Sequence, residues 1–197
     1  MATLESMLAS PDQSTRLKAA LGAGTYPQPE YIEILINQCS HEPDFFVRDT
    51  LSWALLMHDH NSVVSRLIPE LASANKQAKS QAIHTLSKIG DKRNFNLISD
   101  AMLFDPDDLI ASTAWRAASV LVPEEDKPAL VAKLVTQLGR GDSDLQFALT
   151  RFLCAIGESI VVPLKQAAKS KEPDIQQQAE FTLIRYQEMK REQREKR

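Results

Sequence analysis

Glycine and cysteine are scarce in this sequence, 6 and 2 among 197 residues. No Gly-rich phosphate loop occurs, nor a Gly-x-Ser-x-Gly elbow or a His-Glu-x-x-His helix, so the common phosphate, acyl-transfer and zinc-protease motifs are excluded. Cys39 and Cys154 have no CxxC spacing. That excludes a disulfide framework and reads as two small buried hydrophobes in a reducing compartment. No apolar run approaches the ~18–20 residues of a membrane span, and Met1 to Ser10 lack a basic stretch followed by an apolar one. A cytoplasmic protein with no membrane contact is the expectation. Basic excess is also absent: the net charge is −3, so the body as a whole is not that of a non-specific nucleic-acid binder. Period-two alternation is missing too, which argues against strands.

Repetition is what the sequence does have. Pro-Asp occurs at Pro11-Asp12, Pro43-Asp44, Pro106-Asp107 and Pro173-Asp174, with separations of 32, 63 and 67 residues, close to one, two and two units of about 32. In the two remaining slots stand Ala74-Asn75 and Gly141-Asp142. Each slot falls between one amphipathic segment and the next. Asp, Ser or Asn there caps a helix N-terminus, and Pro suits a first turn whose N–H is unused. Ser10-Pro11-Asp12-Gln13 has the form of a capping box starting at Ser10.

The segments after these turns align on Thr15, Val47, Ala78, Ile110, Leu145 and Ile175. Four residues on lie Ala19, Leu51, Ala82, Ala114, Leu149 and Ala179, and eight on lie Ala23, Leu55, Leu86, Ala118, Leu153 and Leu183. The spacing is that of one helical face. Gly90 and Gly157 end two of the helices. These observations predict an all-α protein of six helix pairs, at about 3–24, 28–59, 61–90, 92–122, 124–157 and 159–190. One pair cannot bury both its apolar faces, so stacking into a single right-handed α-solenoid over residues 1–187 is expected. Residues 188–197 form a charged tail.

Phe46-Val47-Arg48 with Leu51, Ala54 and Leu55, and the stretch Leu86-Ser87-Lys88-Ile89-Gly90-Asp91 leading through Asp105-Pro106-Asp107-Asp108 to Ala118, resemble the HEAT and HEAT-like (phycobilisome-lyase type) repeat. The resemblance covers roughly residues 3 to 187 and implies an armadillo-like helical solenoid. It implies no single task, because the family includes scaffolds, adaptors, chromophore lyases and DNA glycosylases. The repeat's arginine stands only at Arg16 and Arg48; Lys79, Ala111, Gln146 and Gln176 replace it later.

In such solenoids the second helices line the concave surface where extended partners bind. Six residues beyond each aligned position the column reads Leu21, Trp53, His84, Arg116, Arg151 and Phe181, with neighbours ~10 Å apart. Trp and Arg are common binding anchors, and the Arg fork suits carboxylate or phosphate. Trp53, His84, Arg116, Arg151 and Phe181, with Asp49, are therefore the candidate partner-binding residues, and the expected partner is a protein or peptide, the groove suiting an acidic or phospho-bearing segment. Trp115, one position nearer the core, reads as packing.

Asp49 precedes Trp53 by one helical turn, a pairing similar to that of alkyl-base glycosylases built on related repeats. Residues 1–184 carry net −6, the wrong sign for holding a phosphate backbone. His58-Asp59-His60 has metal-donor chemistry, but the single His41-Glu42 pair stands ~20 Å away along a ~15-residue helix. No metal, no cofactor and no catalytic set is expected. The function predicted from sequence is thus a non-catalytic scaffold or adaptor, with a lesion-binding protein or a bilin-lyase subunit as alternatives.

Overall fold

The computed structural model describes residues 3–195, and among them no strand occurs. The contacts divide the chain into two compact units, Met1–Gly90 and Asp91–Arg197. The N-terminal unit holds three helix pairs: α1 (Leu4–Leu8) with α2 (Gln13–Thr25), α3 (Tyr31–Cys39) with α4 (Phe45–Leu56), and α5 (His60–Leu67), continued by the 3₁₀ turn Pro69–Ala72, with α6 (Lys76–Ile89). The C-terminal unit holds three more. In the first, the 3₁₀ segment Lys92–Leu97 and the one-turn α7 (Asp100–Leu103) precede α8 (Asp108–Leu121). Then come α9 (Lys127–Val135) with α10 (Ser143–Ile156), and α11 (Val161–Ala167) with α12 (Pro173–Glu195). No single helix among the described residues is long and apolar enough to cross a membrane.

The caps show why the second helices begin where they do. Asp12, Asp44, Asn75, Asp107 and Asp142 are the N-caps of α2, α4, α6, α8 and α10, and each side chain accepts from the backbone N–H three residues on, at 2.8–3.4 Å. Those N–H groups belong to Thr15, Val47, Ala78, Ile110 and Leu145, the residues on which the repeats align. The side chains satisfy orphan donors and fix the phase of each helix. Asp12 and Asp44 lie below the ordinary carboxylate value, chiefly through hydrogen bonds from Thr15 and from the Val47 N–H. The capping box expected at Ser10 does not form. Ser10 Oγ instead accepts from the Asp12 N–H, and Pro11 lies outside the helix. Among the second helices, Pro occupies a first turn only in α12, which starts at Pro173.

The apolar stripe is buried as its spacing requires. Ala19, Leu51, Ala82, Ala114, Leu149 and Ala179 are all at most 4% exposed, and eight residues beyond the alignment only Leu183 is not buried. Trp115 is fully enclosed in the C-terminal unit, and its Nε1 donates to Leu103 O at 2.8 Å. Gly90 closes α6 in the left-handed region at φ 71, where a Cβ is disfavoured. The expected tail from residue 188 is continuous with α12, helical to Glu195; Lys196 and Arg197 lie outside the described residues.

Turns between paired helices leave main-chain carbonyls that no helix can bond, and side chains supply the donors. Arg16 Nη1 donates to Ser10 O and Pro11 O at 3.0 and 3.1 Å. Arg48 Nη1 repeats the arrangement on Glu42 O and Pro43 O at 2.8 and 2.7 Å. Gln146, where the repeat's arginine is missing, reaches Gly141 O at 3.2 Å. Ala111 has no donor to offer, and Arg140 of the following pair donates to Asp105 O at 2.6 Å, bonds Asp108 and lies 5.6 Å over the Trp115 ring.

Arg16 also makes the one buried ion pair of the N-terminal unit's described residues. Its Nε and Nη2 donate to the two oxygens of Glu42, both at 2.8 Å, while Gln38 and the Asp44 N–H complete the carboxylate's partners. Burial pushes the Glu42 carboxyl up, but the hydrogen bonds outweigh it and leave the group below its ordinary value. The pair's stabilisation is therefore present at neutral pH and is lost as the pH falls below the carboxylate range. Arg16→Met strands a buried charge and is expected to cost about 3–5 kcal/mol in denaturant unfolding. Adding Glu42→Met should recover most of that loss; a single variant as stable as the parent would contradict the arrangement.

Candidate functional site

Two of the predicted residues of the N-terminal unit are held by neighbouring elements of the fold. Asp49 accepts from Lys88 Nζ at 2.6 Å, an ion pair between α4 and α6. Trp53 is half-buried, its ring seated against the backbone of α2 at Gly24. A Cβ built on Gly24 would come within 3 Å of the ring and of Ala54 Cα, so the small residue makes room for the indole. His84 is half-buried on α6, and Leu21 is exposed on α2. Phe45 and Phe46, at the start of α4, form an exposed edge-to-face pair with ring centroids 5.7 Å apart.

A different surface exists in the C-terminal unit. There α8 packs on α10 and α10 on α12, and each turns a stripe outward at the spacing of one helical face. On α8 the stripe is Leu109, Arg116 and Val120; on α10, Asp144, Phe147 and Arg151; on α12, Phe181, Ile184 and Glu188. Phe147 and Phe181 remain 48% and 40% exposed while their rings stand 6.3 Å apart across the two helices. Leu109, Val120 and Ile184 are exposed as well.

Arg116 and Arg151 sit among these apolar groups, both exposed. Neither guanidinium bonds any described residue. Up to Arg185 every other arginine is engaged: Arg16 by Glu42, Arg48 by carbonyls, Arg66 by Glu33, Arg93 by Asp91, Arg140 by Asp108 and Arg185 by Glu188. The sequence column found Arg116, Arg151 and Phe181 on this face. It missed Leu109, Val120, Phe147 and Ile184, which the three-and-four-residue spacing from those members could have supplied.

Elsewhere the chemistry-bearing groups have structural partners. His58 is buried and its Nδ1–H donates to Ala54 O at 2.8 Å. Its Nε2 has no partner among the described residues. Asp59 caps α5 through the Ser62 N–H and hydroxyl, which hold its carboxyl below the ordinary value, and His60 Nε2 lies 3.1 Å from Leu56 O. The three residues thus join α4 to α5. No group of three or more His, Cys, Asp or Glu side chains among the described residues could hold a metal. An open pocket of about 660 Å³ between α1, α2 and α3 is lined mainly by apolar groups such as Leu4, Met7, Ala23 and Ile34, with Glu5, Lys18, Tyr26 and Tyr31 also on its wall. Burial pushes the Cys39 thiol up to about 12 and Cys154 to about 11.

No protein-family model and no curated protein matches the chain. Among solved structures, an engineered protein from the Northeast Structural Genomics Consortium is 21% identical, with a TM-score of 0.50 over 94% of this chain and 95% of its own. A designed armadillo repeat protein is 14% identical, with a TM-score of 0.48 over 92% and 97%. The complex of CpcE and CpcF of phycocyanin lyase from Nostoc sp. PCC7120 is 20% identical, with a TM-score of 0.41 over 95% and 89%. At this identity the first likeness shows the fold alone, and the other two add no argument to it. Fold and resemblance agree on an all-α protein of HEAT-like helical repeats.

Two outcomes are expected from this geometry. Both cysteines should resist a thiol reagent such as dithionitrobenzoate in the native protein and react fully in denaturant; fast native labelling would contradict their burial. Gly24→Ala should destabilise the protein by about 1–3 kcal/mol through overpacking and shift the Trp53 emission to the red as the ring is pushed outward.

Proposed function

We propose that this chain is a cytoplasmic, non-catalytic scaffold or adaptor that binds a protein or peptide segment on the outward face of α8, α10 and α12. One observation carries the reading: two arginines with no internal partner stand among five exposed apolar side chains on three neighbouring helices. A contiguous exposed apolar patch marks an interaction surface. Arginine beside aromatic rings is the composition that concentrates binding energy at interfaces. Because neither guanidinium is engaged among the described residues, binding there breaks no ion pair before it forms one.

The candidate residues divide accordingly. Arg116, Arg151 and Phe181 act as partner contacts, joined by Phe147. Asp49, Trp53 and His84 belong to the N-terminal unit, where the Asp49–Lys88 pair and the Trp53–Gly24 contact are already made. No observation favours the lesion-binding or bilin-lyase alternatives. A phosphate backbone needs a row of free cations, and this face offers two.

Reversing both charges with Arg116→Glu and Arg151→Glu should leave helicity and the thermal midpoint unchanged, since neither side chain has an internal partner to lose. The same variant should abolish recovery of the natural partner in affinity capture at native expression. Recovery equal to the parent's would overturn the reading. Phe147→Ala with Phe181→Ala should likewise lose the partner with little loss of stability, both rings being half exposed in the free protein.

A further inference from the structure

We infer that the segment held on this face is an acidic peptide that carries carboxylates beside a large apolar side chain, an inference that rests on the scaffold reading above. The Phe147 and Phe181 rings, 6.3 Å apart and open to solvent on one side, form a platform for one apolar side chain of the partner. Arg151 lies one helical turn from Phe147 on α10, and Arg116 stands on the neighbouring α8. Each planar guanidinium fork can take one carboxylate in two parallel hydrogen bonds.

Charges of the opposite sign limit the choice further. By helical spacing Asp144 shares the outward face of α10, and Glu188 shares that of α12, where it is already paired with Arg185 at 2.6 Å. Such groups repel a continuous polyanion but tolerate a peptide whose carboxylates are few and placed. Packed helices lie ~8–10 Å apart and an extended peptide advances about 3.3 Å per residue. Carboxylates about three residues apart would therefore meet Arg116 and Arg151. Apolar residues between and beside them would fall on the phenylalanine platform, Leu109 and Ile184. Partner and face are thus complementary in both charge and apolarity.

The test is selection of phage-displayed random peptides, about a dozen residues long, on the full chain and on the double variant Arg116→Glu, Arg151→Glu, with helicity checked by circular dichroism. The parent is expected to enrich peptides with Asp or Glu a few residues to either side of Phe, Trp or Leu. The double variant is expected to enrich Lys or Arg at those places. A fluorescein-labelled synthetic copy of the most enriched peptide, followed by anisotropy, should bind the parent and lose at least about tenfold in affinity for each arginine reversed. Enriched peptides without an acidic bias, or with affinity indifferent to the reversals, would overturn the acidic-segment inference and leave the scaffold reading intact. Failure of the parent to enrich any peptide would overturn both.

Discussion

A helix pair built on tight turns leaves backbone carbonyls at its corners, and these must find donors once the second helices pack together. That requirement governs the rest of this structure. Arg16 and Arg48 meet it by bending back onto the carbonyls five and six residues before them. Where the arginine is lost, the donor comes from a glutamine at the same position or from the neighbouring pair, as with Gln146 and Arg140. Gln77 and Gln178 similarly bond carbonyls of the preceding pair, Gln77 to Cys39 O and Glu42 O and Gln178 to Gln146 O. The bonds of Arg140, Gln77 and Gln178 cross from one pair to the one before it and tie their relative register. The register in turn decides which residues turn inward to be buried and which are left on the outward face.

The same requirement explains why Arg16, Arg48 and Arg140 are unavailable for recognition. A guanidinium that satisfies a corner carbonyl or a buried carboxylate is part of the fold. Arg116 and Arg151 fall at a different phase of their helices, away from every corner. Their charge costs the fold nothing and is free for a partner. This is the physical difference between the two tryptophans as well. Trp115 is enclosed, with its N–H spent on Leu103 O and Arg140 above its ring, while Trp53 keeps an exposed edge over Gly24.

Much of this was legible in the sequence, for definable reasons. The Asp or Asn of five turn slots is the cap of the second helix, and in α4, α6 and α8 the apolar residue three positions later, Val47, Ala78 or Ile110, is the first buried residue. The stripe of Ala and Leu at intervals of four fixed the buried face. Less legible were features that depend on contacts between pairs. Ser10 had the form of a capping box, but Asp12 offers the better-placed carboxylate and takes the role. The first helix of the fourth pair shrinks to the single turn of α7, because Pro106 and the 3₁₀ segment Lys92–Leu97 leave little room for it. The outward face was found one residue per helix, as a column. A helical face is wider than one residue, so Phe147 and Ile184 escaped although they stand one turn from Arg151 and beside Phe181.

A partner on the outward face of the C-terminal unit would be held through Arg116 and Arg151, the binding proposed above. That binding is tested most directly by replacing Phe147 with the photo-crosslinking analogue benzoylphenylalanine in cells expressing the full chain. Irradiation is predicted to give a discrete cross-linked species from this position and none from the same analogue at the exposed Phe45 of the other unit. The adduct should vanish when Arg116 and Arg151 are reversed to glutamate. An adduct that survives the reversal, or none at position 147, would contradict the proposal.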